Sequence, residues 1–289
     1  MRRIGYLGPK GTFSEEAALV YSGGNAVELV ACPSVEAVLK GVIDGTFEEG
    51  IVPVENSTEG AVGVVLDMLA GCLELYVRCE VVLPVLHCLM AGYGVELGQV
   101  EKVISHPQAL AQCRQFLNRH LPGVAQEEAP STAAAASMVA ASSRPWAALG
   151  CARSADEFGL NVLVPVANDF SGNVTRFWVL GKEQRSLENN DEALKTSIIF
   201  EVEHRPGALY TVLGEFAWRG INLTRIESRP AKRRLGDYLF FLDFCGSQKQ
   251  PRVRDALKGV AKKVLNLKIL GSYPVIDCTA DGSANYPGM

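Results

Sequence analysis

The sequence contains no long hydrophobic run and no concentrated basic surface. Its longest apolar stretches, such as 81–91, are interrupted by Pro84 and His87 and are too short to span a bilayer. No apolar segment of signal-peptide length follows Met1, so we expect a cytoplasmic protein without a membrane partner. The net charge of −4 argues against a nucleic-acid partner, because phosphate binding needs a concentrated positive face.

Metal-ligand spacing is also missing. The eight cysteines are scattered without a CxxC pair or a Cys/His pattern, so we expect structural thiols and no metal site. Of the four histidines, His106 is the best placed for chemistry, although Pro107 directly after it favours a structural turn about equally. His87, His120 and His204 have no partner pattern and are interpreted as structural or surface residues.

Short apolar runs alternate with helical patterns through residues 1–182. The pattern starts again near residue 81, which predicts two α/β lobes in sequence, the second at about 81–168. This alternation favours parallel strands with crossover helices, whose ligands bind beyond the carboxyl ends of the strands. The predicted helices include one that begins near Ala61 and one that spans 107–119.

The alternation of predicted strands and helices changes after a polar stretch at 183–194, which has the composition of a linker. Residues 195–274 are predicted to form strands and helices in the order βαββαβ, a ferredoxin-like plan. The last strand of this plan is predicted at 267–270. Residues 275–289 are rich in Gly, Ser and Asp and are predicted to form a loose tail. The predicted fold class is therefore α/β, with two lobes followed by a smaller module.

Polar residues occupy four predicted strand-to-helix junctions, at 8–14 (GPKGTFS), 53–60 (PVENSTEG), 105–108 (SHPQ) and 130–132 (PST). Any one of them is more often a helix cap than a site. Asn56 and Ser57, for example, are either caps or donors to a ligand. Helix starts nevertheless offer free N–H groups and a dipole that suit a carboxylate. Four such junctions could face one another across a cleft and surround an anion with neutral donors.

A hydroxyl and a guanidinium enter the start of an apolar strand at 173–181 (NVTRFWVLG). A buried cation without a partner is costly, so Arg176 needs either an ion pair or access to water. The local pattern alone leaves both an edge-strand arginine and a functional site open.

These motifs, in this order, resemble those of the prephenate dehydratase family. The matching catalytic signatures are 8–14, 53–60, 105–110 (SHPQAL), 131–132 and 175–177 (TRF). The later module resembles an ACT domain through 207–210 (GALY) and 227–230 (ESRP). The resemblance covers residues 3–273. It implies a periplasmic-binding-protein-like catalytic domain at 1–182 and an ACT regulatory domain at 195–274.

The resemblance implies a hydro-lyase that converts prephenate into phenylpyruvate, water and carbon dioxide. No cofactor is expected, because aromatisation drives the reaction. Thr175 would meet the leaving hydroxyl as a hydrogen-bond donor. Arg176 would bind the pyruvyl carboxylate, or would pair internally and orient Thr175, and Phe177 would form an apolar wall. The implied substrate-binding residues are Thr12, Asn56, Ser57, Ser105, Gln108, Ser131 and Thr132.

The ACT resemblance implies feedback regulation of L-phenylalanine biosynthesis by L-phenylalanine, bound between subunits of a homodimer or homotetramer. Three other hypotheses stay open: a non-catalytic solute-binding protein, an ACT-bearing transcriptional regulator, and an arogenate dehydratase, which performs the same elimination on the amino analogue. The implied phenylalanine-binding residues are Gly207, Ala208, Leu209, Asn222, Leu223, Glu227 and Ser228.

Overall fold

The computed structural model describes residues 1–72, 74–170, 172–185, 194–234 and 236–279. These residues form a ten-stranded and a five-stranded sheet. The strands are β1 (Arg2–Leu7), β2 (Val27–Cys32), β3 (Glu49–Asn56), β4 (Gly60–Ala61), β5 (Tyr76–Pro84), β6 (Cys88–Ala91), β7 (Lys102–Ser105), β8 (Ala125–Glu128), β9 (Trp146–Gly150), β10 (Asn161–Val164), β11 (Val174–Gly181), β12 (Leu194–Glu201), β13 (Leu223–Pro230), β14 (Tyr238–Cys245) and β15 (Asn266–Asp277). The helices are α1 (Phe13–Ser22), α2 (Val35–Ile43), α3 (Gly63–Gly71), α4 (Pro107–Gln112), α5 (Arg114–His120), α6 (Thr132–Ala140), α7 (Ala152–Phe158), α8 (Ala208–Ala217) and α9 (Pro251–Ala261), with a 3₁₀ turn at Leu97–Gln99.

The first lobe consists of β1, β2, β3, β5 and β11 with helices α1 to α3. β1 pairs in parallel with β2 and β3, whereas β11 lies antiparallel between β3 and β5. The sheet is therefore mixed, and the expectation of parallel strands holds for only part of it. Because β5 belongs to this sheet, the second lobe begins after Pro84 and not at residue 81.

The second lobe has a five-stranded sheet in the order β10-β6-β9-β7-β8, covered by α4 to α7. Two crossovers join the lobes, 85–87 on the way out and 165–173 on the way back. They touch each other, since the Val85 N–H donates to the Asn173 carbonyl at 2.8 Å. The cleft between the lobes therefore lies beside these crossovers.

The C-terminal module has the predicted βαββαβ order, with strands arranged β13-β14-β12-β15. Helices α8 and α9 cover one face of its sheet around Val212, Phe216 and Val260. The other face shares a core with the first lobe, where Phe241 and Tyr273 pack in one cluster with first-lobe residues. The predicted α/β class with two lobes and a ferredoxin-like module is thus confirmed.

Strand β15 joins the module to the first lobe. It extends to Asp277, and its end pairs in parallel with β5, with Val275 opposite Glu80. The expected tail from residue 275 is therefore wrong at its start, while residues 280–289 lie outside the described residues. Gly271 has φ +145°, and a Cβ there would lie 2.5 Å from the Val77 carbonyl oxygen. The close contact between module and lobe thus requires glycine at this position.

Two predicted helices differ from the structure. The helix expected near Ala61 begins at Gly63, because residues 60–61 first pair back on β3 as β4. The helix expected at 107–119 breaks at Cys113 into α4 and α5. The Asp169 carboxylate accepts hydrogen bonds from the Gln115 and Phe116 N–H groups at 2.7 and 2.8 Å. A cap supplied by a crossover therefore starts the second helix, which no local pattern reveals.

Most of the predicted linker, residues 186–193, lies outside the described residues, and β12 already begins at Leu194. Within the described ranges, no helix combines the length and the apolar composition needed to cross a membrane.

Candidate active site

Thr175 lies at the start of β11, where the crossover 165–173 re-enters the first lobe. It stands opposite Asn56 of β3 and Leu83 of β5, and it is 9% exposed. Its Oγ1 accepts a hydrogen bond of 2.9 Å from the Asn56 Nδ2. The hydroxyl has no acceptor among the described residues, so its own hydrogen is free to point elsewhere.

The orientation of the Asn56 amide follows from the backbone. Its Oδ1 accepts from the N–H groups of Thr58 and Glu59 at 3.0 and 3.2 Å. A backbone N–H can only donate, so the carbonyl end must face the turn and the NH₂ end must face Thr175. Thr175 is consequently an acceptor toward Asn56, and its own hydroxyl hydrogen is not used in that hydrogen bond.

Four side chains form a closed circle of hydrogen bonds, which we call the amide ring: Asn56, Asn173, Gln112 and Thr58. Asn56 Nδ2 donates to Asn173 Oδ1 at 2.8 Å, and Asn173 Nδ2 donates to Gln112 Oε1 at 2.9 Å. Gln112 Nε2 donates to Thr58 Oγ1 at 3.4 Å, which donates to Asn56 Oδ1 at 2.5 Å. All four bonds run in one direction, an arrangement in which each bond polarises the next. Gln112 belongs to the second lobe, so the ring also joins the two lobes.

His87 contacts the amide ring from the crossover 85–87. Its Nε2 lies 3.1 Å from Gln112 Oε1, and its imidazole packs edge-on against Phe13. Burial lowers the pKa of His87 to about 4, and the hydrogen bond with Gln112 offsets only part of that shift. The His87 imidazole is therefore neutral at neutral pH.

Acidification from pH 7 to pH 5 is expected to destabilise the protein through His87. Its folded-state pKa of about 4 lies below the ordinary 6.5, so the unfolded chain binds the proton first and stability falls as the pH drops below 6.5. The loss for one such histidine is about 2 kcal/mol between these pH values. Urea denaturation at both pH values should show that His87→Gln loses less unfolding free energy between pH 7 and pH 5 than the wild type does. An equal loss in the two proteins would contradict a buried, neutral His87 imidazole.

An open pocket of about 250 Å³ adjoins the amide ring. Thr58, Gln112 and Asn173 line it, together with Phe170 and the exposed Arg114. Arg114 has no ion-pair partner among the described residues, so its guanidinium is available to an anion. Neutral donors, the Arg114 cation, the Asp169 carboxylate and the Phe170 ring thus meet next to the amide ring.

Arg176 points away from this pocket, because successive side chains of a strand lie on opposite faces of the sheet. Its guanidinium contacts Glu55 at 2.7 Å, Glu80 at 2.5 Å and Asp243 at 2.7 Å, and its side chain is 14% exposed. Burial opposes the charged form, but Asp243 and Glu80 outweigh it and raise the pKa of Arg176 above its usual value. The expected carboxylate clamp is contradicted by this geometry, which agrees with the alternative of internal pairing.

The ion pairs of Arg176 belong to a larger cluster between the first lobe and the C-terminal module. Lys195 contacts Glu80 at 2.5 Å, and Arg225 lies 3.5 Å from Glu55. Although burial raises the pKa of Glu80, the Arg176 and Lys195 charges lower it below its ordinary value. Three cations and three carboxylates therefore balance one another; the members of this charge cluster are Arg176, Lys195, Arg225, Glu55, Glu80 and Asp243.

Phe177 packs inside the first lobe. It is 1% exposed and shares a core with Ile4, Ile51 and Val81. The apolar wall expected from Phe177 is therefore absent from the cleft: Phe177 lies on the same face of β11 as Thr175, but deeper in the first-lobe core. Among the pocket residues, Phe170 supplies an aromatic surface instead.

Three predicted hydroxyls are used within the protein. Thr12 caps α1 and donates to the Pro9 carbonyl at 3.0 Å. Ser105 is fully buried and donates to the Leu149 carbonyl at 2.7 Å, so it cannot reach a ligand. Ser131 caps α6 by accepting from the Ala134 N–H. Burial contradicts the predicted role of Ser105 as a ligand donor, whereas that of the half-buried Thr12 stays a prediction.

The remaining predicted residues lie in three places. Ser57 borders the amide ring; its hydroxyl accepts from the Val174 N–H at 3.0 Å and donates to the Gly172 carbonyl at 3.2 Å. Gln108 is part-exposed in the first turn of α4, and Thr132 opens α6. Of the four predicted strand-to-helix junctions, the structure brings the segment 53–60 to Thr175. From the second lobe, Gln112 contacts this segment through Thr58.

Gln112, Thr58 and His87 were not singled out from the sequence. Gln112 follows Gln108 by four residues, so helical spacing places the two side chains on one face of the helix. Gln112 could therefore have been predicted as a site residue together with Gln108. His87 has no sequence signal beyond a polar residue in an apolar run. Among the described residues, no group of three or more His, Cys, Asp or Glu side chains is arranged to hold a metal ion.

The C-terminal module has a second pocket, of about 280 Å³. Gly207, Ala208 and Leu209 line it at the start of α8, opposite Tyr238 and Phe240. Gly207 has φ +77°, a conformation that favours glycine, and it presents the helix N-terminus to the pocket. The other predicted phenylalanine-binding residues do not line this pocket within one chain; they lie on or just before the edge strand β13 and are Asn222, Leu223, Glu227 and Ser228.

Comparisons with known proteins agree with this architecture. Residues 4–185 match the prephenate dehydratase family, and residues 196–262 match the ACT domain. The chain is 39% identical to prephenate dehydratase from Methanocaldococcus jannaschii, over 94% of this chain and 98% of that protein. It is 41% identical to a bifunctional chorismate mutase/prephenate dehydratase from Aquifex aeolicus, over 94% of this chain and 73% of that protein.

A solved structure of prephenate dehydratase from Arthrobacter aurescens in complex with L-Phe is also similar. It has a TM-score of 0.85 and 37% identity, over 94% of this chain and 89% of that chain. The fold and the family match together define a two-lobed α/β hydro-lyase that carries a C-terminal ACT domain. The chain belongs to the prephenate dehydratase family.

Proposed function

We propose that this protein is a prephenate dehydratase whose dehydration is assisted by the Thr175 hydroxyl. The observation that carries the proposal is the direction of the hydrogen bond between Asn56 and Thr175. Since Asn56 must donate, the Thr175 oxygen is an acceptor on that side and its hydrogen remains for a ligand in the cleft. A fixed donor in a nearly buried position suits the stabilisation of developing negative charge.

The reaction demands such a donor. The bond to the ring carboxylate breaks and releases carbon dioxide, its electron pair enters the ring, and the bond to the ring hydroxyl breaks on the opposite side. The departing hydroxide takes up one proton and leaves as water, so each turnover consumes a proton. Thr175 is a weak acid, so we assign to it the hydrogen bond to the leaving oxygen and assign the proton itself to water.

The substrate is a dianion, and the pocket beside the amide ring offers groups for both charges. Arg114 can form a bidentate pair with one carboxylate, and neutral amide donors surround the rest. Thr12, Ser57, Gln108, Ser131 and Thr132 remain proposed donors to the substrate, although they do not line this pocket. Neutral donors suit the ring carboxylate, because a tight cationic clamp would stabilise the charge that must be lost as carbon dioxide.

Turnover distinguishes this proposal from the alternatives. A solute-binding protein or a transcriptional regulator would bind without converting prephenate. An arogenate dehydratase would show a larger kcat/KM for arogenate, which carries an amine where prephenate has a keto group. Measuring kcat/KM for both compounds with the purified full chain decides the case. We expect prephenate to be preferred, and a preference for arogenate would reassign the substrate.

We further propose that L-phenylalanine regulates the enzyme through the ACT domain, between subunits of a homodimer or homotetramer. The related enzyme from Arthrobacter aurescens was solved in complex with L-Phe, and the helix start at Gly207 suits an amino-acid carboxylate. Regulation requires that phenylalanine binds an inactive state better than the active one. We place the enzyme in the cytoplasm, in L-phenylalanine biosynthesis, with no nucleic-acid or membrane partner.

A surface ion pair offers a connection between the ACT domain and the active site. Arg229, within the ESRP motif, contacts Asp67 of α3 at 3.0 Å, and Lys232 contacts the same carboxylate at 2.7 Å. Helix α3 follows directly after the turn that carries Asn56 and Thr58. A shift of β13 on phenylalanine binding would therefore be transmitted to the amide ring through α3.

The substitution Asp67→Asn is expected to weaken inhibition by phenylalanine while leaving kcat without effector within about twofold of the wild type. Loss of about 1 kcal/mol of coupling raises the half-inhibitory concentration about fivefold. Titration of phenylalanine against prephenate turnover measures this effect. Glu28→Gln, which removes an exposed ion pair with Arg3 in the first lobe, is the control and should leave inhibition unchanged. Equal inhibition of Asp67→Asn and the wild type would exclude this connection.

A further inference from the structure

His87 lies where both interlobe crossovers meet. Its N–H donates to Asn168 Oδ1 at 2.5 Å, and its carbonyl accepts from the Ala167 N–H at 2.8 Å. The Asn168 amide in turn donates to the Val85 carbonyl at 3.1 Å. His87 is 4% exposed, and its backbone is bonded to the second crossover through Ala167 and Asn168.

The amide ring determines which nitrogen of His87 carries the proton. The backbone N–H groups of Thr58 and Glu59 fix the carbonyl end of Asn56. Asn56 then donates to Asn173, and Asn173 donates to Gln112, so the Gln112 oxygen must face both Asn173 and His87. An oxygen acceptor 3.1 Å from Nε2 requires an N–H there. A neutral imidazole thus has its proton on Nε2 and none on Nδ1.

We propose that His87 is a positioning residue for dehydration: its Nε2–H donor holds Gln112 in place, and through Gln112 and Asn173 it keeps Asn56 where Asn56 donates to Thr175. This inference rests on the proposed function of Thr175. A rotation of the Gln112 amide would present NH₂ to Asn173 and would oppose the direction of the other bonds. His87 prevents that rotation, because a protonated Nε2 cannot accept from an NH₂ group.

Two substitutions separate positioning from packing. His87→Leu removes the donor, and we expect kcat to fall about tenfold or more while KM changes by less than about threefold. His87→Gln can place an amide N–H near the Nε2 position, and we expect kcat within about threefold of the wild type. His120→Leu, at the exposed end of α5, is the histidine control. A His87→Leu enzyme within twofold of the wild type, or equal losses in both variants, would overturn the proposal.

A spectroscopic test does not require enzymatic activity. The chain has four histidines, so ¹⁵N NMR of the labelled wild-type protein resolves few ring signals, and comparison with His87→Gln or His87→Leu confirms the assignment. We expect one ring in the Nε2–H form whose signals do not change between pH 7 and pH 6. An Nδ1–H tautomer or an imidazolium at neutral pH would overturn the proposal. Absence of prephenate turnover by the wild type would instead refute the proposed function.

Discussion

Replacement of Thr175 by alanine is expected to lower kcat for prephenate roughly 10²-fold or more, which corresponds to about 3 kcal/mol of transition-state stabilisation. The hydroxyl is the donor that the amide ring leaves free, and alanine removes it without adding bulk. Asn56 loses one acceptor but keeps Asn173. Steady-state turnover of the purified variant measures the effect, and thermal unfolding checks that the fold is intact.

Thr175→Ser is the matched control for this substitution. Serine retains the hydroxyl and loses only a methyl group, so the variant should keep much more activity than Thr175→Ala. An alanine variant within about threefold of the wild type would remove Thr175 from the reaction. Equal losses in the serine and alanine variants would assign the effect to packing instead of to the hydroxyl.

Replacement of Arg176 by methionine is expected to cost about 3–5 kcal/mol of unfolding free energy, the range observed when one partner of a buried ion pair is removed. Glu80 and Asp243 are both fully buried, so the substitution leaves two carboxylates with less compensation. Lys195 still contacts Glu80, which places the loss within this range and not above it. Urea denaturation of the variant and the wild type at pH 7 measures the change.

Arg205→Met provides the matched control. Arg205 contacts Glu203 at 2.7 Å, the same distance as the pair between Arg176 and Asp243, but the side chains of Arg205 and Glu203 are both more than half exposed. Exposed pairs contribute about 0–1 kcal/mol, so the control should be nearly neutral. A similar cost for the two variants would show that burial of the charge cluster is not what makes Arg176 important.

Elements with strong local signals could be predicted from the sequence. Ser34 and Ser131 stand before periodic apolar segments, and the structure has both as the N-caps of α2 and α6. The βαββαβ order could be predicted because apolar residues in the C-terminal module recur with the period of a strand or of a helix in each segment. The break of the helix at Cys113 could not be predicted, since the carboxylate that caps α5 is Asp169, more than fifty residues away in the chain.

In the candidate site, too, residues with a local sequence signal could be predicted and contacts between distant segments could not. The segment 173–177 could be located because a polar group entering an apolar strand is locally visible. The separate positions of Thr175 and Arg176 follow from the alternation of side chains along a strand, which was available from the sequence and would have placed them on opposite faces. The partners of Arg176 were not available, because Glu80 and Asp243 come from strands that are distant in sequence.

The role of Asn56 shows why motif position alone is insufficient. The sequence left it as either a helix cap or a ligand donor, and it is neither. Its carbonyl closes a turn at Thr58 and Glu59, and its NH₂ group holds Thr175 and Asn173. The turn arises because the chain folds back and pairs with β3 as β4. A strand of two residues is too short to be predicted from its sequence.

The measurement that tests the account most directly is the product balance of the purified full chain with prephenate. We predict phenylpyruvate and carbon dioxide in equal amounts, with one proton consumed per turnover. We also predict that Thr175→Ala slows both products by the same factor of roughly 10². Binding of prephenate without products, or products formed at the wild-type rate by Thr175→Ala, would contradict the account.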